Sequence, residues 1–129
     1  MTDDLPSSLR YTDQHEWVRV DSDGVVVVGI THFAQDQLGD VVYVDLPTSG
    51  LDLTDGQVFG EVESTKSVSD LYAPVAGKVV ARNEALDDRP ELVNEDPYGA
   101  GWLIQLVPAD PLSVNALLDA AAYADLLEG

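Results

Sequence analysis

Short blocks of β-branched and aromatic residues fill the first hundred positions, broken by turn residues at close intervals. "HEWVRV" (15–20) and "GVVVVGI" (24–30) are two such blocks, joined by "DSDG", whose Asp-Gly ending signals a hairpin. The spacing changes at "THFAQDQLG" (31–39), which predicts one short helix: Thr31 caps it, Phe33 and Leu38 face the core, and Gly39 supplies a left-handed C-cap. "VVYVDLP" (41–47) is a further strand ended by Pro47, and "TSGLDLTDG" (48–56) is turn chemistry. Short strands resume from Gln57 to Val80. There "GQVF" (56–59) and "GKVV" (77–80) form a loose pseudo-repeat on either side of Lys66, which predicts two matching β-layers joined by a hairpin. Val62 and Val68 are expected to point inward on the two sides of that turn. "LDDRPELVNEDPYGAG" (86–101) reads as a long loop and "WLIQLV" (102–107) as the last strand. Asp110 and Pro111 open a tail in which "NALLDAAAYADLL" (115–127) is apolar at helical spacing. The pattern predicts a mainly β chain, a β-sandwich with a few helices packed outside it. It forms one domain over 1–129, with a core over about 10–108 and a helical tail over about 110–128.

Composition narrows the functions. Apolar residues make up 45% of the 129 positions, enough for a single core. No apolar run approaches the roughly 18 residues that suggest a membrane span. "MTDDLPSSLR" has neither a basic nor an apolar signal region, so the cytoplasm is the expected compartment. With 24 acidic against 6 basic residues the formal charge is −18, which disfavours nucleic acid and anionic membranes as partners. The chain has no cysteine, which excludes disulfides, thiolate nucleophiles and cysteine metal sites. Any sulfur chemistry must come from a cofactor.

Catalytic and metal motifs are missing. His15-Glu16 opens like a metalloprotease motif, but no second histidine follows at the required spacing, and two histidines cannot build a histidine-rich metal site. Asp21, Asp23 and Gly24 superficially suggest a calcium loop, yet Val25 stands at the third ligand position, so a hairpin turn is expected. Lys78 is followed by Val79, so no phosphate loop is present. No catalytic residue and no metal site is expected. What remains is Lys66, one of only two lysines, in the short polar stretch "ESTKSVSD" (63–70). Such neighbours cannot bury its amine. They predict a tight exposed turn that offers the amine for covalent modification by another enzyme.

These residues carry a resemblance. "YTDQHEWV", "VGITHFAQDQLGDVVYVDLPTSG", "GEVESTKSVSDLYAPVAGKVV" and "NEDPYGAGWLIQL" occur in the order found in the H proteins of the glycine cleavage system, and the chain resembles that family over nearly its whole length. The resemblance implies a lipoyl/biotinyl-type β-sandwich, a barrel-sandwich hybrid. It implies that Lys66 carries one covalent lipoate, which removes the lysine's charge and takes the formal total from −18 to −19. It further implies a carrier that catalyses nothing itself. Such a carrier takes the aminomethyl group of glycine from a pyridoxal-phosphate decarboxylase (P protein) to a tetrahydrofolate-dependent aminomethyltransferase (T protein). Dihydrolipoamide dehydrogenase (L protein) reoxidises it, and a lipoyl transferase or lipoate ligase modifies it.

Rival readings differ at particular residues. A biotin carrier domain normally flanks its lysine with methionine, whereas Thr65 and Ser67 do so here. A lipoyl domain of a 2-oxoacid dehydrogenase system is closer but does not account for "HEWV" or the helical tail; it, a lipoyl relay to other proteins and an unmodified binding module are the alternatives. Glu63 is expected to be read by the modifying enzyme, with Gly77 keeping the return strand close enough to form the turn. Glu16 and Asp70 are the expected docking carboxylates for the loaded arm, against simpler roles in which Glu16 pairs with backbone or Arg19 and Asp70 caps a turn. His32 is expected to face solvent.

Overall fold

The computed structural model describes Pro6, residues 8–21 and residues 23–128. The reading of the N-terminal segment rests largely on residues outside these, as does Ser22 of the first hairpin turn. In chain order the strands are β1 (Arg10–Tyr11), β2 (Glu16–Val20), β3 (Val26–Ile30), β4 (Val41–Asp45), β5 (Asp52–Leu53), β6 (Val58–Ser64), β7 (Val68–Tyr72), β8 (Gly77–Arg82) and β9 (Ile104–Pro108). The helices are α1 (His32–Leu38), α2 (Ala85–Asp88), α3 (Leu92–Glu95) and α4 (Ala120–Glu128), with a 3-10 helix over Pro111–Ala116.

All described pairings are antiparallel. They form a six-stranded sheet in the order β1-β2-β3-β9-β8-β5 and a three-stranded sheet in the order β4-β6-β7. The main core lies between the sheets and takes Val18, Val28 and Ile30 from β2 and β3, Val44 from β4, Val62 from β6 and Leu106 from β9. A second cluster of Tyr11, Trp17, Val27 and Tyr123 covers the other face of the larger sheet. All five residues of β3 are therefore buried, which explains its unbroken apolar run. Gly29 is required there because the Trp17 ring lies across it: a Cβ would stand 2.5 Å from the ring carbons. The Trp17 indole N–H is satisfied by the Pro97 carbonyl at 2.8 Å.

Several expectations hold. The first hairpin turns at Asp21, whose carboxylate accepts the N–H groups of Asp23 and Val25 at 2.9 and 3.0 Å, as in an Asx turn and not a calcium loop. Thr31 caps α1 by accepting from the Ala34 N–H at 3.2 Å. Asp110 likewise caps the 3-10 helix through the Leu112 N–H, with proline in its first turn.

Others are corrected. The hairpin bearing Lys66 joins β6 to β7 within the small sheet, and the passage between layers comes afterwards, between β7 and β8. Val62 is fully buried, but Val68 points outward at 58% exposure, because its register partner is the outward-facing Glu63. Phe33 is only half-buried, and Gln35 takes the inward position on α1 beside Leu38. The long loop folds into α2 and α3, pinned by the buried Leu86 and Val93. The tail is interrupted by an extended stretch in which Leu118 bridges to Tyr11 before α4 begins. That tail is not merely packed outside, because Tyr123 on α4 is wholly buried.

Candidate functional site

Lys66 sits exposed at the tip of the β6–β7 hairpin. The turn is closed by the Ser64 N–H donating to the Ser67 carbonyl at 2.8 Å. The buried Ser64 hydroxyl oxygen accepts from the backbone N–H groups of Lys66 and Ser67 at 3.2 and 3.1 Å, which holds the lysine backbone from beneath. Thr65 N–H donates to the Asp40 carbonyl at 3.0 Å and ties the turn to the junction between α1 and β4.

That junction is shaped for the lysine. Gly39 has φ 85° and ψ −159°, a region reserved almost entirely for glycine and distinct from the expected left-handed C-cap. The Lys66 side chain lies over it, and a Cβ at Gly39 would stand 3.2 Å from Lys66 Cε. Asn94, from the segment read as a loop, braces the same point. Its amide N–H groups donate to the Gly39 carbonyl and to Gln35 Oε1 at 2.9 and 3.0 Å, and its oxygen accepts from the Val41 N–H at 2.8 Å. Neither Asn94 nor Ser64 carries a sequence signal of its own; only a three-dimensional neighbour gives each a role.

Beside the hairpin lies a cleft of about 150 Å³ between α1 and β7, walled by Ile30, Phe33, Ala34, Leu38 and Leu71 and edged by Gln14, His15, Glu16, Gln37, Ser69 and Asp70. The structure thus brings Glu16 and Asp70 to one cleft. Glu63 does not line it but stays on the outer face of the small sheet, exposed, between Tyr43 and Val68. Gly77 serves the other sheet. It pairs with Leu53 and Pro108, and a Cβ there would stand 2.5 Å from the Val107 carbonyl, so its close approach is to β9 and not to the Lys66 turn. Lys78 projects to solvent from β8. His32 is exposed, as expected.

Glu16 is only 1% exposed. One carboxylate oxygen accepts from the Tyr72 N–H at 2.8 Å and the other from the Thr12 hydroxyl at 3.1 Å. Its simpler role is therefore partly real, with Tyr72 as the backbone partner. Arg19 instead lies over the Trp17 ring, 5.3 Å from its centroid. Burial raises the Glu16 carboxyl to about 7, outweighing the two hydrogen bonds that favour its charged form. Glu16 also borders a larger cavity of about 440 Å³ on its other side, walled by Tyr11, Tyr72, Leu117 and Leu126. No residue of α1 lines that cavity, whereas the smaller cleft is lined by Gln37 and Leu38, next in sequence to the Gly39 over which Lys66 lies.

An exposed lysine on a braced hairpin is open to a modifying enzyme. A family model described as "Glycine cleavage H-protein" matches residues 9–129. The chain belongs to the glycine cleavage H-protein family. A glycine cleavage system H protein of Myxococcus xanthus is 55% identical over 128 residues, covering 99% of this chain and 98% of the relative. One of Mycobacterium avium is 59% identical over 124 residues, covering 93% and 94%. The crystal structure of a glycine cleavage system H protein from Mycobacterium marinum superposes with a TM-score of 0.89 at 44% identity, covering 97% of this chain and all of that one. The fold is thereby the lipoyl-type β-sandwich expected from the sequence. The lipoyl-carrier role in glycine cleavage follows from membership of the H-protein family.

Proposed function

We propose that this H protein carries lipoate as an amide on Lys66 and acts as a non-catalytic shuttle for the aminomethyl group of glycine. The observation that carries this reading is the placement of Lys66: exposed at a hairpin tip, braced by Ser64 and Gly39, and adjoining a cleft lined with both apolar and acidic groups. The lipoyl group supplies the disulfide–dithiol chemistry that a chain without cysteine lacks. The protein's own residues present the amine, orient the arm and shelter its loaded end. In this reading the apolar cleft walls take the arm's hydrocarbon and the cleft-lining Glu16 and Asp70 receive a protonated amine, which their shared place in the lining supports. The outward-facing Glu63, on the strand leading into the turn, is the group we assign to recognition by a lipoyl transferase or lipoate ligase. The Gly77 contacts support a structural role in the larger sheet in place of one in that recognition.

The partners in this reading are the decarboxylase, the aminomethyltransferase and dihydrolipoamide dehydrogenase, met in turn, with tethering raising the local concentration of the reacting sulfur at each. The charge of −18 supports protein partners over nucleic acid or anionic membranes. The cytoplasm, where dissolved glycine and folate are available, is the compartment assigned. Residues 1–129 are read as one carrier domain, supported by the single main core shared by both sheets.

Intact mass before and after treatment with a lipoylating enzyme tests the attachment. One lipoyl mass is expected on the wild type and on Lys78→Arg, and none on Lys66→Arg, with all melting temperatures alike. A lipoyl group mapped to a peptide containing only Lys78 overturns the assignment. Loading by the decarboxylase in the presence of glycine tests the shuttle, and a lipoylated carrier that cannot be loaded refutes it. Decay of the loaded carrier without the aminomethyltransferase, compared among wild type, Glu16→Gln and Asp70→Asn, tests the docking. At least one variant is expected to decay faster.

A further inference from the structure

His15 is the one non-glycine residue among those described with a positive φ, at 67°. Its backbone is held on both sides: its N–H donates to the Thr12 carbonyl at 3.1 Å, and its carbonyl accepts from the Thr31 N–H at 3.0 Å. Its ring lies against Phe33 with centroids 4.7 Å apart, and both side chains line the cleft beside Glu16. The ring's Nδ1 lies 2.8 Å from the hydroxyl of Tyr123, a residue 108 positions away on the terminal helix α4. Tyr123 does not line the cleft. It is fully buried, stacked on Tyr11 at 4.8 Å and 6°, and its hydroxyl also lies 2.8 Å from Thr31 Oγ1.

One direction gives every group of this chain a role. Thr31 is fully buried and its oxygen already accepts the Ala34 N–H. With the Thr31 O–H donating to the Tyr123 oxygen, the Tyr123 O–H can donate to His15 Nδ1, and a neutral His15 then carries its proton on Nε2. Burial lowers the His15 pKa, which favours the neutral ring.

We propose that Tyr123 is a positioning residue for the arm's cleft: its hydroxyl holds the His15 ring with the proton on Nε2, so that the terminal helix leaves no free imidazole lone pair in the cleft wall. The proposal rests on the reading of this cleft as the docking site of the loaded arm. Hydrolysis of an aminomethyl thioether, to thiol, formaldehyde and ammonium with one water consumed, would begin with transfer of the ammonium proton to a nearby base. An imidazole with an open lone pair would add a further base beside Glu16 for this proton transfer. Closing both ring nitrogens removes that base and leaves Glu16 and Asp70 as the acid groups of the cleft lining.

The test combines the tautomer with the decay of the loaded carrier. Long-range imidazole proton–nitrogen correlation on the nitrogen-15-labelled, lipoylated wild type is expected to show His15 protonated at Nε2. Tyr123→Phe keeps the ring stack on Tyr11 and removes only the hydroxyl. It is expected to move the His15 proton partly or wholly to Nδ1 and to speed decay by about two- to ten-fold, the range matching one neutral hydrogen bond. A wild-type ring protonated at Nδ1 overturns the proposal. So does a wild-type decay rate in Tyr123→Phe while Glu16→Gln or Asp70→Asn decays faster, a result that leaves the docking itself standing. Wild-type decay in all three removes the docking and this proposal together. If Tyr123→Phe does not fold, the wild-type tautomer and His15→Asn decide. Asparagine tolerates a positive φ and carries no imidazole base, so His15→Asn is expected to decay no faster than the wild type. Faster decay there overturns the proposal.

Discussion

Replacing Glu16 by glutamine keeps the side chain's shape and an oxygen for the Tyr72 N–H, and removes an ionisable group that the fold holds almost entirely out of water. Burial raises the carboxyl from 4.5 to about 7, which corresponds to about 3 kcal/mol at about 1.4 kcal/mol per pH unit. The sign follows from proton counting. Between pH 4.5 and 7 the folded state holds this proton more tightly than the unfolded state, so stability is fully present below 4.5 and is lost as pH rises through about 7. Glutamine has no such proton to lose. Urea unfolding of both proteins from pH 5 to 8 stays clear of the isoelectric point near 4.1. Over that window the wild type is expected to lose about 2–3 kcal/mol relative to the variant, whatever the offset between them at pH 5. Taking the difference cancels the titration of other groups common to both. A difference that does not change with pH refutes the claim that Glu16 is carried protonated into its buried site.

Gly39→Ala places a Cβ at φ 85° and ψ −159° and 3.2 Å from Lys66 Cε. It is expected to cost about 1–3 kcal/mol in denaturant unfolding and to slow lipoylation, and unchanged stability argues against the strained junction. Asn94→Ala cuts three hydrogen bonds to Gln35, Gly39 and Val41. A loss of about 1–3 kcal/mol is expected, with faster hydrogen exchange at the Val41 amide; unaltered exchange there contradicts the bracing role. Glu63→Gln is expected to slow lipoylation without moving the melting temperature, since the side chain is exposed, and wild-type modification kinetics remove Glu63 from recognition.

The features legible in the sequence are those whose causes are local. Alternation and β-branching placed β2, β3, β4 and β9, an Asp-Gly pair placed the first hairpin, and Thr31 announced the start of α1. Lys66 stood out because its neighbours are too short and polar to bury it. By contrast, α2 and α3 lie in a stretch crowded with proline, aspartate and glycine. They form because Leu86 and Val93 find the core and because Asn83 reaches the carbonyls of Ala100 and Trp102 at 2.8 Å. The outward turn of Val68 was set by its pairing with Glu63, since a period of two fixes a strand's faces only once its register is known.

The cleft belongs wholly to the tertiary structure. Glu16 and Asp70 are 54 positions apart, and Tyr123 reaches His15 across 108. The chain determined which side chains were available and which short segments would be strand, turn or helix, because propensity and periodicity act between near neighbours. Which of those side chains share a cavity, which carboxylate loses its water and which hydroxyl meets the His15 ring were decided by the packing of two sheets and a returning tail. Burial and hydrogen-bond satisfaction are properties of neighbours in space, and the order of residues along the chain does not specify them.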